Sequence, residues 1–161
     1  MAKNSAIPQR VGWVFVICGL VLPWVIRILA EWSFHPRDLA RILKEFPALL
    51  FAPGHNLFLL ALLNGLPFLV VAVLGRLLVQ EAAVPPARVP RLLGVIAAGL
   101  MTLGLSCYVH LSVWMNVFGP RPSSTAGIAF VFLPLCAAAF MVPAYGIGWL
   151  TGKTLFRLRP R

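Results

Sequence analysis

Residues 56–78 read NLFLLALLNGLPFLVVAVLGRLL and contain a single charged side chain, Arg76. A helix of about 20 apolar residues is long enough to cross the roughly 30 Å hydrocarbon core of a bilayer. A water-soluble fold of this size must cover its surface with polar residues, and the chain has only four acidic and fourteen basic residues. This stretch therefore predicts a membrane-spanning helix.

Three further apolar runs have the same character, at residues 11–30, 92–118 and 126–152. Each run is long enough to span, and the last two are long enough to require tilt or kinks. The whole chain is 60% hydrophobic and only 11% charged, whereas soluble domains average about 25% charged residues. The predicted fold is an all-α integral membrane protein, a four-transmembrane-helix bundle in a single domain, residues 1–161.

Between the first two spans, residues 36–46 are predicted to form a short amphipathic helix. Its apolar side chains follow the i, i+3, i+4, i+7 spacing of one helix face: Leu39, Ile42, Leu43 and Phe46. Pro36 suits the first turn, and Pro47 is expected to end the helix. Such a helix lies in the membrane interface, either as a simple tether or as a lid or docking face for a partner.

The charge of the chain, +10, is distributed unevenly. With four spans both termini lie on one side, which carries nine Lys and Arg residues against five on the other. The side richer in Lys and Arg faces the cytoplasm. We therefore expect cytoplasmic N- and C-termini in a plasma membrane, the inner membrane of a bacterium. Nucleic acid is not expected as a partner, because no basic helix carries interleaved aromatic residues.

The short segment between the last two spans carries the polar residues Arg121, Ser123, Ser124 and Thr125. A serine there can cap the following helix, and the arginine can contact lipid headgroups. The same group of amides, hydroxyls and guanidinium could also hold a phosphate or carboxylate. The sequence leaves both readings open.

Two histidines, His55 and His110, fall toward the side opposite the termini. His110 shares a helix face with Ser106 and Trp114 at four-residue spacing, so this face could line a polar pocket. A pair of histidines could ligate haem, which makes haem a possible cofactor, although single histidines commonly bond a nearby carbonyl instead. The chain has no HxxxH or HExxH pair, so no metal site is predicted, and no CxxC pair for thiol redox chemistry.

Other polar and small residues inside the spans suggest packing sites. Asn64, beside Gly65 and Pro67, resembles either an interrupted helix of a transport site or a packing notch with one interhelical hydrogen bond; we favour packing. Ala144, Gly148 and Gly152 recur at four-residue intervals. Their face could pack against another span or against a second subunit.

Arg27 and Glu31 lie four residues apart and predict a helical ion pair. No acidic residue lies deep in a span, which argues against a proton-coupled pump. The sequence thus favours a non-catalytic polytopic membrane subunit that assembles with itself or with other membrane proteins, with a pore-forming or membrane-disrupting oligomer as one specific form. The alternatives are a haem- or quinone-associated electron-transfer subunit and a small-solute carrier.

Overall fold

The computed structural model of the protein describes residues 6–34, 39–53, 56–80, 85–119 and 127–157. These residues form five helices and no strand: α1 (Ala6–Phe34), α2 (Leu39–Leu49), α3 (Leu57–Gln80), α4 (Pro85–Phe118) and α5 (Ile128–Arg157). All except α2 are long and apolar enough to cross a membrane. The predicted all-α bundle of four spans is confirmed.

The four spans lie close to the predicted apolar runs. They are Arg10–Phe34, Leu57–Val79, Arg88–Phe118 and Ile128–Leu155. Helix α4 begins at Pro85, ahead of the predicted start at Leu92. Two prolines open this helix, where the missing amide hydrogen would have had no partner in any case. The helix therefore extends beyond the apolar run on which the prediction was based.

Spans that follow one another in the chain run antiparallel, whereas α1 and α4 run parallel. Along α1 and α3, Trp24 Nε1 donates to the Leu57 carbonyl at 3.2 Å, while Gly12 near the start of α1 lies against Ala72. Helices α4 and α5 form the other closely packed pair, and α4 also contacts both α1 and α3. We call the end of the bundle that contains residues 6 and 157 the terminal end, and the end that contains α2 the loop end.

The bundle exposes apolar side chains over its whole length. Only 22% to 39% of the apolar 18-residue stretch of each span is buried, and large residues such as Leu135 and Val142 on α5 are 67% and 73% exposed. The interior, in contrast, contains polar residues, including Asn64, Thr102 and His110. This arrangement suits hydrocarbon as the surrounding solvent, because polar residues in membrane bundles face inward.

Helix α2 lies across the loop end and packs against α1. Ile42 is 2% exposed, and the Phe46 ring makes an edge-to-face contact with Trp24, with 6.2 Å between ring centroids. The opposite face carries Arg41, whose Nε donates to Glu45 Oε1 at 2.8 Å. Helix α2 is therefore amphipathic, as predicted, and its Ile42 and Phe46 side chains face the bundle.

The end of α2 differs from the prediction. The helix continues past Phe46 to Leu49 and includes Pro47 in its last turn. The chain turns where the Leu50 amide donates to the Pro47 carbonyl at 3.3 Å. Pro47 removes one helix donor and crowds the carbonyl of Leu43, yet the helix continues for only two residues beyond it, so little of the helix is affected. The Leu50 carbonyl then accepts from the Phe58 amide at 3.0 Å and ties α2 to the start of α3.

Candidate functional site

One face of α4 carries a polar stripe that faces the interior of the bundle. Its members recur at four-residue spacing and are at most 1% exposed: Thr102, Ser106, His110 and Trp114. Thr102 Oγ1 donates to the Ala98 carbonyl at 2.9 Å, which satisfies its hydroxyl within the helix. The stripe runs from the middle of α4 toward its loop end. Buried polar residues in a membrane span are costly and usually have a structural or functional role.

His110 lies against an aromatic ring of the neighbouring helix. The centroids of the imidazole and the Phe130 ring are 4.6 Å apart, with an interplanar angle of 35°. Within the described residues, neither ring nitrogen of His110 has a hydrogen-bond partner, and the same holds for Ser106 Oγ. A neutral imidazole offers one donor and one acceptor, and no described residue satisfies either of them in His110.

An ion pair on α1 lies beside the same stripe. Arg27 Nη1 is 2.6 Å from Glu31 Oε2, and the two side chains are only 12% and 13% exposed, which confirms the predicted helical pair. The guanidinium carbon also lies 4.7 Å from the centroid of the Trp114 ring and 4.2 Å from that of Phe118. A cation over an aromatic face is stabilised more strongly where water is excluded.

Together, Arg27, Glu31, Trp114, Phe118 and Phe130 form what we call the loop-end cluster. The Trp114 ring contacts both other aromatic rings, with centroids 5.8 Å from Phe118 and 6.2 Å from Phe130. The cluster joins α1, α4 and α5, and it holds an arginine at the edge of an apolar interior. The cluster can stabilise the loop end of the bundle. Its side chains do not indicate any particular chemical reaction.

The aromatic partners of Arg27 were not found from the sequence. The prediction considered only its neighbour Glu31 on the same helix. A usable signal was present, because Trp114 and Phe118 are four residues apart on the face of α4 that carries His110. Which face of α1 meets this face of α4 depends on the angle at which the two helices cross. The periodicity within one helix carries no information about that angle.

Asn64 lies in the contact between α1 and α3. Its Nδ2 donates to the Gly19 carbonyl at 2.6 Å, and its side chain is 1% exposed. A Cβ placed on Gly19 would overlap the Phe68 ring, and one placed on Gly65 would lie 2.8 Å from Leu20. The glycines allow the two backbones to approach closely enough for the amide to reach across.

Ala144, Gly148 and Gly152 face α4 of the same chain. A Cβ on Gly148 would lie 2.5 Å from the Leu93 carbonyl oxygen. One on Gly152 would lie 2.6 Å from the Pro90 Cα. The structure therefore places this face in the contact between α4 and α5, where it lets the two helices pack tightly.

The remaining sequence-predicted site residues, His55, Arg121, Ser123, Ser124 and Thr125, lie outside the described residues. Within the described ranges no three His, Cys, Asp or Glu side chains come together as potential metal ligands. Of the proposed histidine pair, the structure describes only His110.

No family model matches the chain, and no curated protein or solved structure similar to it was found. The class of the protein accordingly rests on its own residues. Four long apolar helices with lipid-compatible surfaces and an interior that contains polar side chains define an integral membrane protein.

Proposed function

We propose that the protein is a non-catalytic membrane subunit that assembles with itself or with other membrane proteins through the exposed face of α4. The observation that carries this proposal is Tyr108, whose side chain is 70% exposed on the surface of a span. Gly104 lies one turn before it on the same exposed face. A pore-forming or membrane-disrupting oligomer is one form that such an assembly can take.

The depth of Tyr108 makes its exposure unfavourable in a single chain. It precedes the end of α4 at Phe118 by ten residues, or about 15 Å along the helix axis. Helical side chains lean toward the N-terminus of their helix, so the hydroxyl of Tyr108 leans away from the nearer membrane surface. A hydroxyl without a partner in hydrocarbon costs about 4–8 kcal/mol. A helix packed on this face could supply the missing acceptor.

Gly104 gives a neighbouring helix room to approach. A Cβ at Gly104 would meet no atom within 4 Å, unlike the glycines that face other helices of the chain. Met101 and Met115, both exposed, flank this notch and Tyr108. Small residues permit close helix contacts in membranes, and methionines adapt to irregular surfaces. These features support α4 as the assembly face.

The distribution of charge supports the predicted orientation. The described residues of the terminal end include basic side chains and no acidic one: Arg10, Arg76, Arg88, Arg91 and Lys153. At the loop end, Glu31 and Glu45 offset part of the positive charge. By the preference of Lys and Arg for the cytoplasmic side, we place the terminal end in the cytoplasm, with the protein in the plasma membrane.

The two alternative functions gain no support from these contacts. Among the described residues, electron transfer through haem rests on His110 alone. A solute carrier centred on Asn64 would have to use its Oδ1, because Nδ2 already bonds the Gly19 carbonyl, and the residue is only 1% exposed. We therefore favour assembly as the function.

The test is the oligomeric state after extraction in a mild detergent, together with mass spectrometry of any associated proteins. We expect the wild-type chain in an assembly. Gly104→Leu and Tyr108→Leu should release the chain as a monomer, because they fill the notch and remove the hydroxyl. Gly146→Leu on α5 is the matched control, since a Cβ there also meets no atom within 4 Å. An unaccompanied wild-type monomer, or equal release by all three variants, would refute the proposal.

A further inference from the structure

An apolar cleft of about 160 Å³ lies between α3, α4 and α5 in the half of the bundle nearer the terminal end. Its walls are aliphatic side chains of three helices, among them Val71, Leu74, Leu78, Val95, Ala98 and Val142. Leu74 and Val142 are 44% and 73% exposed, so the cleft opens sideways onto the lipid-facing surface. A hydrocarbon chain could enter it without leaving the bilayer.

A guanidinium group marks one end of this cleft. Arg91, Val95 and Ala98 follow one another at spacings of four and three residues, which places them on one face of α4. Arg91 Nη1 donates to the carbonyl of Leu78 at 2.6 Å, and Leu78 lines the cleft. The arginine therefore lies where the cleft meets the terminal end. Its guanidinium has five N–H donors, so donors remain for an anion after this bond is made.

The surroundings of Arg91 extend the polar end. Tyr145 lines the cleft from α5, and Arg76 is exposed next to cleft-lining Gly75 on α3. Arg88 precedes Arg91 on α4. The described residues contribute no carboxylate to this end of the bundle. The cleft is therefore apolar along its length and cationic at its end.

We propose that this cleft binds an anionic phospholipid, with part of one acyl chain between α3, α4 and α5 and the headgroup phosphate at Arg91. The volume fits a segment of a chain, since an engineered protein cavity of about 150 Å³ accommodates benzene. Basic pockets between spans on the cytoplasmic side attract anionic headgroups, and arginine binds phosphate through paired N–H donors. The lateral opening favours a membrane lipid over a soluble phosphate.

This site is separate from the assembly face around Tyr108. Its variants leave Gly104 and Tyr108 unchanged, so failure of one proposal does not imply failure of the other.

The experiment is native mass spectrometry of the purified protein titrated with phosphatidylglycerol or phosphatidylcholine of identical acyl chains. We expect the wild type to retain one phosphatidylglycerol at substantially higher occupancy than phosphatidylcholine. Arg91→Gln should reduce that retention about tenfold, because a hydrogen bond to a charged group is lost. Ala98→Leu should reduce it by filling the cleft. Arg91→Lys keeps the charge and should retain most of the binding.

Arg10→Gln is the matched control, because it removes one exposed positive charge at the same end of the bundle, on α1. It should leave retention unchanged. Equal retention of the two lipids by the wild type would overturn the proposal. So would equal losses in Arg10→Gln and Arg91→Gln, which would indicate a diffuse basic surface. Unchanged retention in Ala98→Leu would overturn the acyl-chain site. If Arg91→Gln fails to fold, Ala98→Leu and Arg91→Lys decide the outcome.

Discussion

At the scale of single residues, Asn64 and Gly19 contribute to the same contact by different means. Asn64 gives one hydrogen bond across α1 and α3, whereas Gly19 gives the space that the Phe68 ring occupies. Interhelical hydrogen bonds in membranes contribute about 0.6 kcal/mol on average. Overpacking a well-filled interior costs about 1–3 kcal/mol. The close packing that Gly19 allows should therefore contribute more to the stability of this contact than the hydrogen bond of Asn64.

We predict that Gly19→Leu lowers the free energy of unfolding in lipid bicelles by about 3 kcal/mol, and Asn64→Leu by about 1 kcal/mol or less. The measurement is steric-trap or detergent-induced unfolding of the purified protein. Gly146→Leu, where a Cβ meets open space, should leave this free energy nearly unchanged. A larger loss in Asn64→Leu than in Gly19→Leu would show that Asn64 has a greater role than packing.

The sequence allowed contacts within a helix to be predicted, but not contacts between helices. The pair Arg27–Glu31 follows from four-residue spacing and was predicted. The Gly19 carbonyl, 45 residues away from Asn64, could not be predicted as its partner. A repeat within one helix identifies a face, but the register of two helices depends on the shapes of both surfaces.

At the scale of elements, α2 has two environments. Ile42 is buried against the bundle, whereas Leu39 and Leu43 are 43% and 52% exposed. The spacing of apolar residues predicted a single face that includes Leu39, Ile42 and Leu43. Such a pattern identifies hydrophobic side chains, but it does not distinguish those that contact the bundle from those that contact lipid. The predicted end at Phe46 was likewise too early, since the helix continues through Pro47.

We predict that Ile42→Asp detaches α2 from the bundle while the four spans stay folded, because a buried carboxylate without a partner is strongly unfavourable. Hydrogen exchange of the α2 amides should then become much faster, with little change in α3 and α4. Leu43→Asp is the neighbouring control and should have a smaller effect. Equal acceleration in both variants would mean that lipid, not the bundle, holds α2 in place.

At the scale of the whole molecule, the two ends differ in charge. The described part of the terminal end carries only basic charged residues, while the loop end combines Arg27, Arg41 and Lys44 with Glu31 and Glu45. Both the number of spans and this asymmetry could be read from the sequence, because each depends on composition along the chain. The arrangement of the helices could not, since it depends on which faces meet.

We predict that single cysteines in a cysteine-free background report opposite sides of the membrane. Leu43→Cys on α2 should react with an impermeant maleimide in intact cells. Lys153→Cys on α5 should react only after the membrane is opened, because the proposed orientation puts the basic end in the cytoplasm. Both positions are exposed, so access to reagent is limited only by the membrane. The reverse pattern of labelling would invert the orientation, and labelling of both in intact cells would contradict it.

The two closely packed helix pairs also differ in the length of their spans, so the bundle has a short side, α1 and α3, and a long side, α4 and α5. The spans of α1 and α3 contain 25 and 23 residues, and those of α4 and α5 contain 31 and 28. The largest difference, between α3 and α4, corresponds to about 12 Å of helix. The longer helices can extend beyond the hydrocarbon at their basic end, lean, or thicken the lipid beside them, and lipid deformation costs fractions of a kcal/mol per Å. If the chain assembles through α4 as proposed, two molecules that meet along their long sides would share the deformed lipid, and bilayer elasticity would favour that contact.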